Sequence, residues 1–405
     1  MIFANNTRHA IPLKLLSLLL VCFGFLLLPV KSLAEPDHLK PDQLMIRVRL
    51  FDTQPETRIH RLTLSGNYRM ARQSSLQNLS ASQTLSIEAN AGRLLIKASN
   101  GQPVANGGGI TLQALSDTVG VCVTPNLSEP QRRCYAGELW IRADGNRLLL
   151  ENIVSPIAYV SSVSASELID GWPLEAIKAQ AVLTQTRLMR KSVRRNLISV
   201  SDSTSDEAYL GIRKNPLTQK AVKSVWGKVL TYGNKPIEAY YHSTCGGHTS
   251  DDGYFSGTLK KRHAYSIGVT CPYCAKSPFY KTHTVTIPIG QWQAVFGKTP
   301  LRLEQKDSGG RYRQARLTAQ LKNAYVFWLR LGQSFGWDKA PGTRFEISQD
   351  TKGVSIASRG AGHGVGLCQW GARGMALEGK RYDEILKFYY PKTSLKPKTT
   401  VKPSV

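Results

Sequence analysis

The chain has few acidic residues and no apolar run of full membrane-spanning length. It contains 28 Asp and Glu against 53 Lys and Arg, a formal net charge of +25. The apolar stretch from Leu15 to Val30 is shorter than the roughly 20 residues that a membrane helix needs. It precedes Ser32-Leu33-Ala34, a small-residue pattern typical of a cleavage site. We therefore expect a signal peptide at 1–34, and the alternative is an uncleaved segment that would provide the only contact with a membrane.

The deficit of acidic residues indicates an anionic partner, because basic charge of this size attracts polyanions. Export places the protein in the periplasm or the cell envelope. There, cell-wall polymer and lipid head groups are commoner anionic partners than nucleic acid, and we expect no nucleic acid to bind. Charge alone does not choose between wall polymer and lipid. The sequence shows no internal repeat.

Cysteine is also scarce, with seven residues in 405. Cys22 lies in the apolar run and is expected to leave with the signal peptide. The other six are an even number, which suits an oxidising compartment. Cys122 and Cys134 bracket a short turn-rich segment, so we predict a disulfide that bridges a hairpin.

The residues up to about 150 alternate between apolar and polar side chains, as half-buried strands do. Segments such as IRVRL, RLLIKA and RLLLENI carry this pattern, and Gly and Asn residues separate them. We predict a β-rich N-terminal region at 35–138. Asp144-Gly145-Asn146 has the chemistry of a hairpin turn and leads into the next region.

Helix signals begin after this region. Ser155 and Pro156 are typical of an N-cap followed by the first helical residue, and we predict a short helix to about Val163. A second helix is expected from Pro173, with an apolar stripe along one face. Glu167 falls in the connection between the two helices, where side chains often face a cleft.

Helices and strands alternate through the rest of the chain, so the predicted fold class is α+β. A helix is expected between Leu217 and Trp226, and strands are expected at KVLTY and HTVTIPI. We predict a core of short helices and strands at 139–392. The residues at 393–405 are rich in Lys, Thr and Pro and are expected to form a disordered basic tail.

Three long blocks, at 166–187, 239–252 and 359–391, arrive in the order of the signature blocks of the SpoIID (stage II sporulation protein D) family, which also includes the LytB amidase enhancers. The sequence resembles this family over roughly 140–392. The resemblance implies a SpoIID-like catalytic core that remodels the cell wall. Family members include lytic transglycosylases that cut peptide-stripped peptidoglycan glycan strands and proteins described as enhancers of cell-wall amidases.

The resemblance places the catalytic acid at Glu167 and suggests five residues that contact sugars. These substrate-binding candidates are Lys178, Gln180, Gln185, His363 and Gln369. Gln185 stands where the family usually has arginine. Arg187 follows two residues later, about 200° around a helix, and is not expected to replace that arginine.

A lytic transglycosylase can work with one carboxyl group, whereas ordinary glycosidases use two. The carboxyl protonates the glycosidic oxygen and then takes a proton from the muramoyl C6 hydroxyl, which attacks its own ring and leaves a 1,6-anhydro end. Glu167 must therefore carry a proton, and Leu168 and Trp172 are candidates for an apolar wall beside it. Glu175 is more typical of a first helical turn than of a second acid. No cofactor is required for this reaction.

His242, Cys245, His248, Cys271 and Cys274 form an H-x2-C-x2-H segment followed by C-x2-C, close to a structural zinc pattern. Disulfides among these cysteines and Cys368 are the alternative, and free thiols are a third possibility. The glycine-rich segment Gly360–Gly371 lacks a Walker lysine and is not a phosphate loop. His363 within it either contacts sugar or anchors the turn.

Two other functions remain open at this stage. A non-catalytic wall-binding protein that stimulates an amidase is favoured by the missing arginine at position 185. A zinc-dependent hydrolase built on the histidine and cysteine cluster would need an open coordination position, which thiolate-rich sites rarely have.

Overall fold

The computed structural model describes residues 44–52, 59–72, 75–116, 120–128, 131–203, 206–257, 262–317 and 320–398. The expected signal peptide at 1–34 lies outside these residues. Within them, no helix is both long enough and apolar enough to span a membrane.

Strands predominate in the first part of the described chain and recur throughout it. Their bounds, β1 to β25 in order, are Met45–Leu50, Ile59–Leu64, Tyr68–Arg72, Ser75–Leu79, Thr84–Asn90, Arg93–Ala98, Pro103–Gly107, Gly109–Ala114, Gly120–Pro125, Arg133–Ala136, Glu138–Asp144, Arg147–Val154, Val193–Arg194, Leu197–Ser201, Lys228–Tyr232, Lys235–Pro236, Tyr241–His242, His283–Pro288, Arg302–Lys306, Tyr312–Leu317, Gln320–Asn323, Arg344–Gln349, Gly353–Arg359, Leu367–Cys368 and Ser394–Pro397.

The α-helices of the described residues all follow β12. Their bounds, α1 to α7 in order, are Pro156–Glu167, Leu174–Leu188, Pro216–Ser224, Ile289–Phe296, Ala324–Phe335, Gln369–Leu377 and Tyr382–Tyr389. The mixture of strands and helices confirms the predicted α+β class.

The N-terminal strands form two sheets. An eight-stranded sheet has the order β13-β14-β1-β12-β11-β8-β3-β4, and a six-stranded sheet has the order β10-β9-β2-β5-β6-β7. Alternate residues of β1 (Ile46, Val48 and Leu50) are buried, as the sequence pattern predicts. β1 also pairs in parallel with β14, so the larger sheet includes strands from both sides of the predicted boundary at residue 138. That boundary stays a prediction.

Two local predictions in this region are confirmed. The strands β11 and β12 form an antiparallel hairpin in which Asp144 pairs with Arg147, and Gly145 has φ of 59° in the turn. Cys122 and Cys134 face each other across the β9–β10 pair and form a disulfide.

The first helix begins as predicted but is longer. The Ser155 hydroxyl accepts a hydrogen bond from the N–H of Ala158, and Pro156 is the first helical residue. The helix continues past Val163 to Glu167 because Ser164, Ala165 and Ser166 are buried. Glu167 is therefore the last residue of α1 and not a residue of the connection.

The second helix, α2, lies at the centre of the main core. Its residues from Ala179 to Thr186 are all buried, including the polar Gln180, Thr184 and Gln185. A helix buried on nearly every side must find partners for its polar groups inside the protein. This is the reason that α2 can carry functional side chains on more than one face.

A second, smaller core lies around Trp292, Phe327, Trp328 and Phe345. It joins α4 and α5 to the sheet β18-β23-β22. The strand predicted at HTVTIPI is confirmed by β18.

The end of the described chain differs from the prediction. Ser394–Pro397 forms strand β25, which pairs with β15 from Lys228 to Thr231. The prediction of disorder from residue 393 is therefore wrong for this segment, because it pairs with β15 and Leu395 packs against the main core. Residues 399–405 lie outside the described part of the chain.

Candidate active site

A pocket of about 520 Å³ opens at the C-terminal end of α1. Its wall combines carboxylates, one guanidinium, two histidines and aromatic rings. The lining residues are Ser166, Glu167, Arg187, Asp202, Asp206, Glu207, Ala208, Leu210, Tyr240, Tyr241, His242, Ser243, Phe255, Tyr325, Gly362, His363 and Gln369.

Glu167, the predicted catalytic acid, lies in this wall. Its Oε1 atom accepts a hydrogen bond from the backbone N–H of Ala208 at 2.9 Å and lies 3.2 Å from the hydroxyl oxygen of Tyr241. Both contacts with the described residues are made by Oε1, so Oε2 is left for a substrate atom. The apolar part of the wall includes Leu210 and Phe255, and the expected Leu168 and Trp172 do not line the pocket.

A second carboxyl group, Glu207, lies beside Glu167 and was missed by the sequence reasoning. It is only 4 % exposed and accepts hydrogen bonds from the hydroxyls of Tyr241 and Thr184, each at 3.0 Å. Arg187 approaches it with Nε at 3.6 Å. Burial raises the pKa of Glu207 to about 7, although the charge of Arg187 opposes this rise.

The predicted separation of residues 185 and 187 is observed. Gln185 donates to the carbonyl groups of Ala181 and Val225 and accepts from the N–H of Gly227, so backbone partners occupy its amide outside the pocket. Arg187 lines the pocket, lies 5.9 Å from the Tyr241 ring centroid and donates to the carbonyl of Asp206. The guanidinium that α2 places in the pocket therefore comes from position 187, and not from position 185, where the family usually has arginine.

Two of the other sugar-binding candidates contact each other. Gln369 lines the pocket and donates from Nε2 to Oε1 of the buried Gln180 at 3.3 Å. Lys178 has a different environment, since it pairs with Glu175 at 2.6 Å and lies 5.8 Å from the Tyr382 ring centroid. Glu175 also accepts from the backbone N–H of Tyr382 and so joins α2 to α7.

His363 has both of the roles that the sequence left open. It lines the pocket, and its Nδ1 accepts the N–H of Val365 at 3.1 Å, which anchors the glycine-rich turn. Burial lowers the pKa of His363 to about 4, so the ring is neutral at pH 7. With Nδ1 accepting, Nε2 carries the proton of the neutral ring.

The candidate metal ligands converge in part. The sulfur atoms of Cys245, Cys271, Cys274 and Cys368 all lie within 4.8 Å of one another, and all four side chains are buried. His242 and His248 do not belong to this group. Their Nδ1 atoms contact the carbonyl oxygens of Val365 and Thr249, respectively. The structure thus brings Cys368 into the set in place of the two histidines.

The geometry of this four-cysteine cluster fits a tetrahedral metal ion. Zn–S bonds of about 2.3 Å place ligand sulfurs roughly 3.8 Å apart, and the sulfurs of Cys245 and Cys274 are 3.5 Å apart. The N–H groups of Cys245 and Gly371 point at the sulfur of Cys368 at 3.2 and 3.3 Å. Such donors stabilise thiolates, which are the form that binds metal.

Seven of the 17 lining residues, Glu207 among them, lie outside the three blocks that carry the family resemblance. Glu207 lies in the segment between β14 and α3, and no motif or spacing marks it. Tyr241 belongs to a two-residue strand that pairs with β24. Long-range packing brings both residues to Glu167, and the alternation and helix patterns of a single sequence do not record such packing.

Comparison with known proteins agrees with this arrangement. The family model described as stage II sporulation protein matches residues 145–232, which include Glu167, Arg187 and Glu207. Stage II sporulation protein D of Bacillus subtilis is 30% identical over 261 residues, which cover 58% of this chain and 73% of that protein. Stage II sporulation protein D of Bacillus amyloliquefaciens is 30% identical over 259 residues, 57% of this chain and 71% of that protein.

A third relative has a different name. The amidase enhancer of Bacillus subtilis is 28% identical over 285 residues, which cover 58% of this chain and 40% of that protein. The family model and these relatives match a large part of the chain, and this confirms the resemblance found in the sequence. The chain belongs to the SpoIID family.

Proposed function

We propose that this protein is a peptidoglycan lytic transglycosylase that cleaves peptide-stripped glycan strands in the cell envelope. The observation that carries the proposal is the position of Glu167. Its carboxyl group lies in the wall of the pocket, with Oε1 held by Ala208 and Tyr241 and Oε2 without a recorded protein partner among the described residues. An acid that is fixed on one oxygen and open on the other suits proton transfer to a bound substrate.

In the proposed reaction, Glu167 gives its proton to the glycosidic oxygen as the bond to the muramoyl C1 breaks. The resulting carboxylate takes the proton of the C6 hydroxyl, and that oxygen attacks C1 of the same sugar. The products are a shortened strand with a new 4-hydroxyl group and a strand that ends in 1,6-anhydro-muramic acid. The tethered nucleophile gains a large effective molarity, so no protein nucleophile is needed.

The rest of the wall suits a carbohydrate. Phe255 and Tyr325 offer ring faces, and their centroids lie 4.9 Å apart. Gln369 and His363 place an amide and a neutral imidazole on the same pocket. The net charge of +25 favours approach to an anionic wall polymer.

The name of one relative supports a second candidate. A non-catalytic protein that binds the cell wall and stimulates an N-acetylmuramoyl-L-alanine amidase would match the relative named amidase enhancer. The glutamine at position 185 supports this candidate, since the family usually has arginine there. The two functions differ in one property, which is glycan cleavage by the purified protein.

Mass spectrometry of glycan fragments tests the proposal. The mature protein and its Glu167→Gln variant are incubated with peptide-free glycan strands, and Asp170→Asn serves as the control because Asp170 is an exposed carboxylate just beyond α1. We expect 1,6-anhydro-muramic ends from the wild type and the control and at least a 100-fold loss in Glu167→Gln, typical of a missing general acid.

Other products would change the assignment. Reducing ends in place of anhydro ends would indicate hydrolysis. A folded protein that binds the strands without cutting them would favour the amidase-enhancer function, and stimulation of a purified amidase would then be measured directly.

The four-cysteine cluster supports a separate proposal of a structural zinc ion held by Cys245, Cys271, Cys274 and Cys368. When bound, the metal would supply four Zn–S bonds that tie three separate segments of the chain together. With four thiolate ligands the site is closed, so it offers no position for substrate or water. Metal analysis of the purified protein should find one zinc per chain, whereas disulfides would leave no metal and no free thiols.

A further inference from the structure

One hydroxyl group lies between the two carboxyl groups of the pocket. Tyr241 Oη is 3.2 Å from Oε1 of Glu167 and 3.0 Å from Oε1 of Glu207. A hydroxyl has one hydrogen to donate and can accept through its lone pairs. If both contacts are hydrogen bonds, one carboxyl must be protonated and donate to Tyr241, while Tyr241 donates to the other.

The surroundings also disfavour two negative charges here. From α1, Glu167 and Tyr159 face Glu207, and from α2, Thr184 and Arg187 face it. Tyr241 faces it from β17. The neighbouring Asp206 pairs with Lys191 instead. Among the described residues, the cation that contacts Glu207 is Arg187, with Nε at 3.6 Å. Two negative charges on either side of one buried hydroxyl repel each other, which favours a shared proton.

We propose that Glu207 is the positioning partner of Glu167: the two carboxyl groups hold one proton between them through the hydroxyl of Tyr241, and Arg187 and Thr184 fix Glu207 in place. This inference rests on the proposed function. It assigns a role to a carboxyl group that the one-acid mechanism does not use.

The proton transfers balance without any further reactant. When the proton is on Glu207, its O–H bond breaks as the proton passes to Tyr241 Oη, and the hydrogen of Tyr241 passes to Oε1 of Glu167. A half-turn of the Glu167 carboxyl group about its Cγ–Cδ bond then exchanges its two oxygens, so that the protonated oxygen faces the substrate and the other faces Ala208 and Tyr241. This O–H bond breaks as the glycosidic oxygen takes the proton, and the carboxyl group is restored by the proton of the C6 hydroxyl. The pair ends the cycle with the one proton that it had at the start.

The raised pKa of Glu207, about 7, agrees with this arrangement. Because the sites interact, the value belongs to the pair more than to one residue. Cleavage should accordingly fall as the pH rises through about 7, since the shared proton is then lost.

The test compares pH–rate profiles for kcat/KM on peptide-free glycan strands. In Glu207→Gln the like charge is removed, so the alkaline fall should move to lower pH by about one unit, a roughly fivefold loss at pH 7 that shrinks towards pH 5. Asp170→Asn should keep the wild-type profile. A loss in Glu207→Gln that is equal at every pH, or no loss, would overturn the proposal.

Folding of the variant is controlled by a separate measurement. Glu207→Gln leaves the guanidinium of Arg187 without its carboxylate, so the circular-dichroism spectrum and the unfolding midpoint of the variant are compared with those of the wild type. An unshifted pH profile in a variant that is folded by these criteria would contradict proton sharing.

A readout without turnover separates this inference from the proposed function. Infrared titration of the wild-type protein should show a carboxylic-acid C=O band that disappears near pH 7, and Glu207→Gln should lack that transition. If the wild type cuts no glycan but shows the band, the proposed function fails and the shared proton stands. If it cuts glycan and no carboxyl group titrates between pH 6 and 8, the shared proton is refuted.

Discussion

The N-terminal sheets and the pocket bury different kinds of side chain. Strands such as β1 and β5 bury every second residue, and those residues are aliphatic. The pocket region buries the polar residues Gln180 and Thr184 of α2 and Glu207 of the segment between β14 and α3. Buried polar groups need specific partners, whereas buried aliphatic groups need only contact. The difference shows that a regular pattern builds the sheets and that pairwise interactions build the site.

The cysteines repeat this contrast. Cys122 and Cys134 are neighbours across one hairpin and are oxidised to a disulfide. The other four come from three separate segments, are not joined by disulfides in the structure, and have sulfur atoms within 4.8 Å of one another. The first pair reinforces a local structure, and the second set joins distant segments.

Metal removal should have the largest effect and should act on the pocket region. The proposed zinc ion in the four-cysteine cluster would contribute folding free energy directly. We expect a chelator, or the Cys274→Ser variant, to make residues beyond about 200 susceptible to limited proteolysis while the N-terminal sheets stay resistant. Mass spectrometry of the fragments measures this. If the protease cut both regions equally, or if the digest did not change, the cluster would not stabilise the pocket region separately from the N-terminal sheets.

Loss of the disulfide should have a smaller effect, confined to the other region. The double variant Cys122→Ser/Cys134→Ser opens a loop with a sequence separation of 12, for which chain entropy predicts a destabilisation of about 3 kcal/mol. Urea unfolding followed by a probe in the N-terminal sheets should report it. Zinc content is the internal control, and a decrease in bound zinc would show that the two cysteine sets are coupled.

The smallest expected effect concerns a buried histidine of the N-terminal sheets. His60 is 1 % exposed, and burial lowers its pKa from 6.5 to about 4. The folded state thus binds fewer protons than the unfolded state between these values, and stability should fall as the pH drops below 6.5. By linkage the loss between pH 7 and pH 5 is about 2 kcal/mol.

The variant His60→Leu should remove this part of the acid sensitivity. The free energy of unfolding of each protein is measured in urea at pH 7 and at pH 5. The decrease between the two pH values should be about 2 kcal/mol smaller in the variant than in the wild type. An identical acid dependence in both proteins would assign the sensitivity to groups elsewhere.

Regular features were predictable from the sequence. The alternation of β1, the hairpin turn at Gly145, the cap at Ser155 and the disulfide each depend on residues close together in the chain, where local chemistry decides the outcome. Glu167 was found through the family resemblance and lies in the pocket. The end of α1 was not predictable, because burial of Ser164 to Ser166 overrides their weak helix preference.

The failures have a common cause. Glu207, Tyr241 and the pocket position of Arg187 follow from contacts between segments far apart in the chain. Cys368 joins the cysteine cluster across more than 90 residues, and the nearer His242 and His248 do not. Spacing rules for metal ligands assume that the ligands lie on one short segment, and this fold violates that assumption.

Asp202 shows what the parallel pairing of β1 with β14 means for any shortened form of the protein. Its side chain is 4 % exposed and accepts hydrogen bonds from the backbone N–H groups of Phe51 and Asp52, and it pairs with Arg133 at 3.0 Å. A chain that began at residue 139 would lose all three partners, and Asp202 would have neither the two N–H donors nor the counter-charge that fix its side chain. Because Asp202 begins the segment that ends at Glu207, the N-terminal sheets are part of the scaffold that aligns the acid pair.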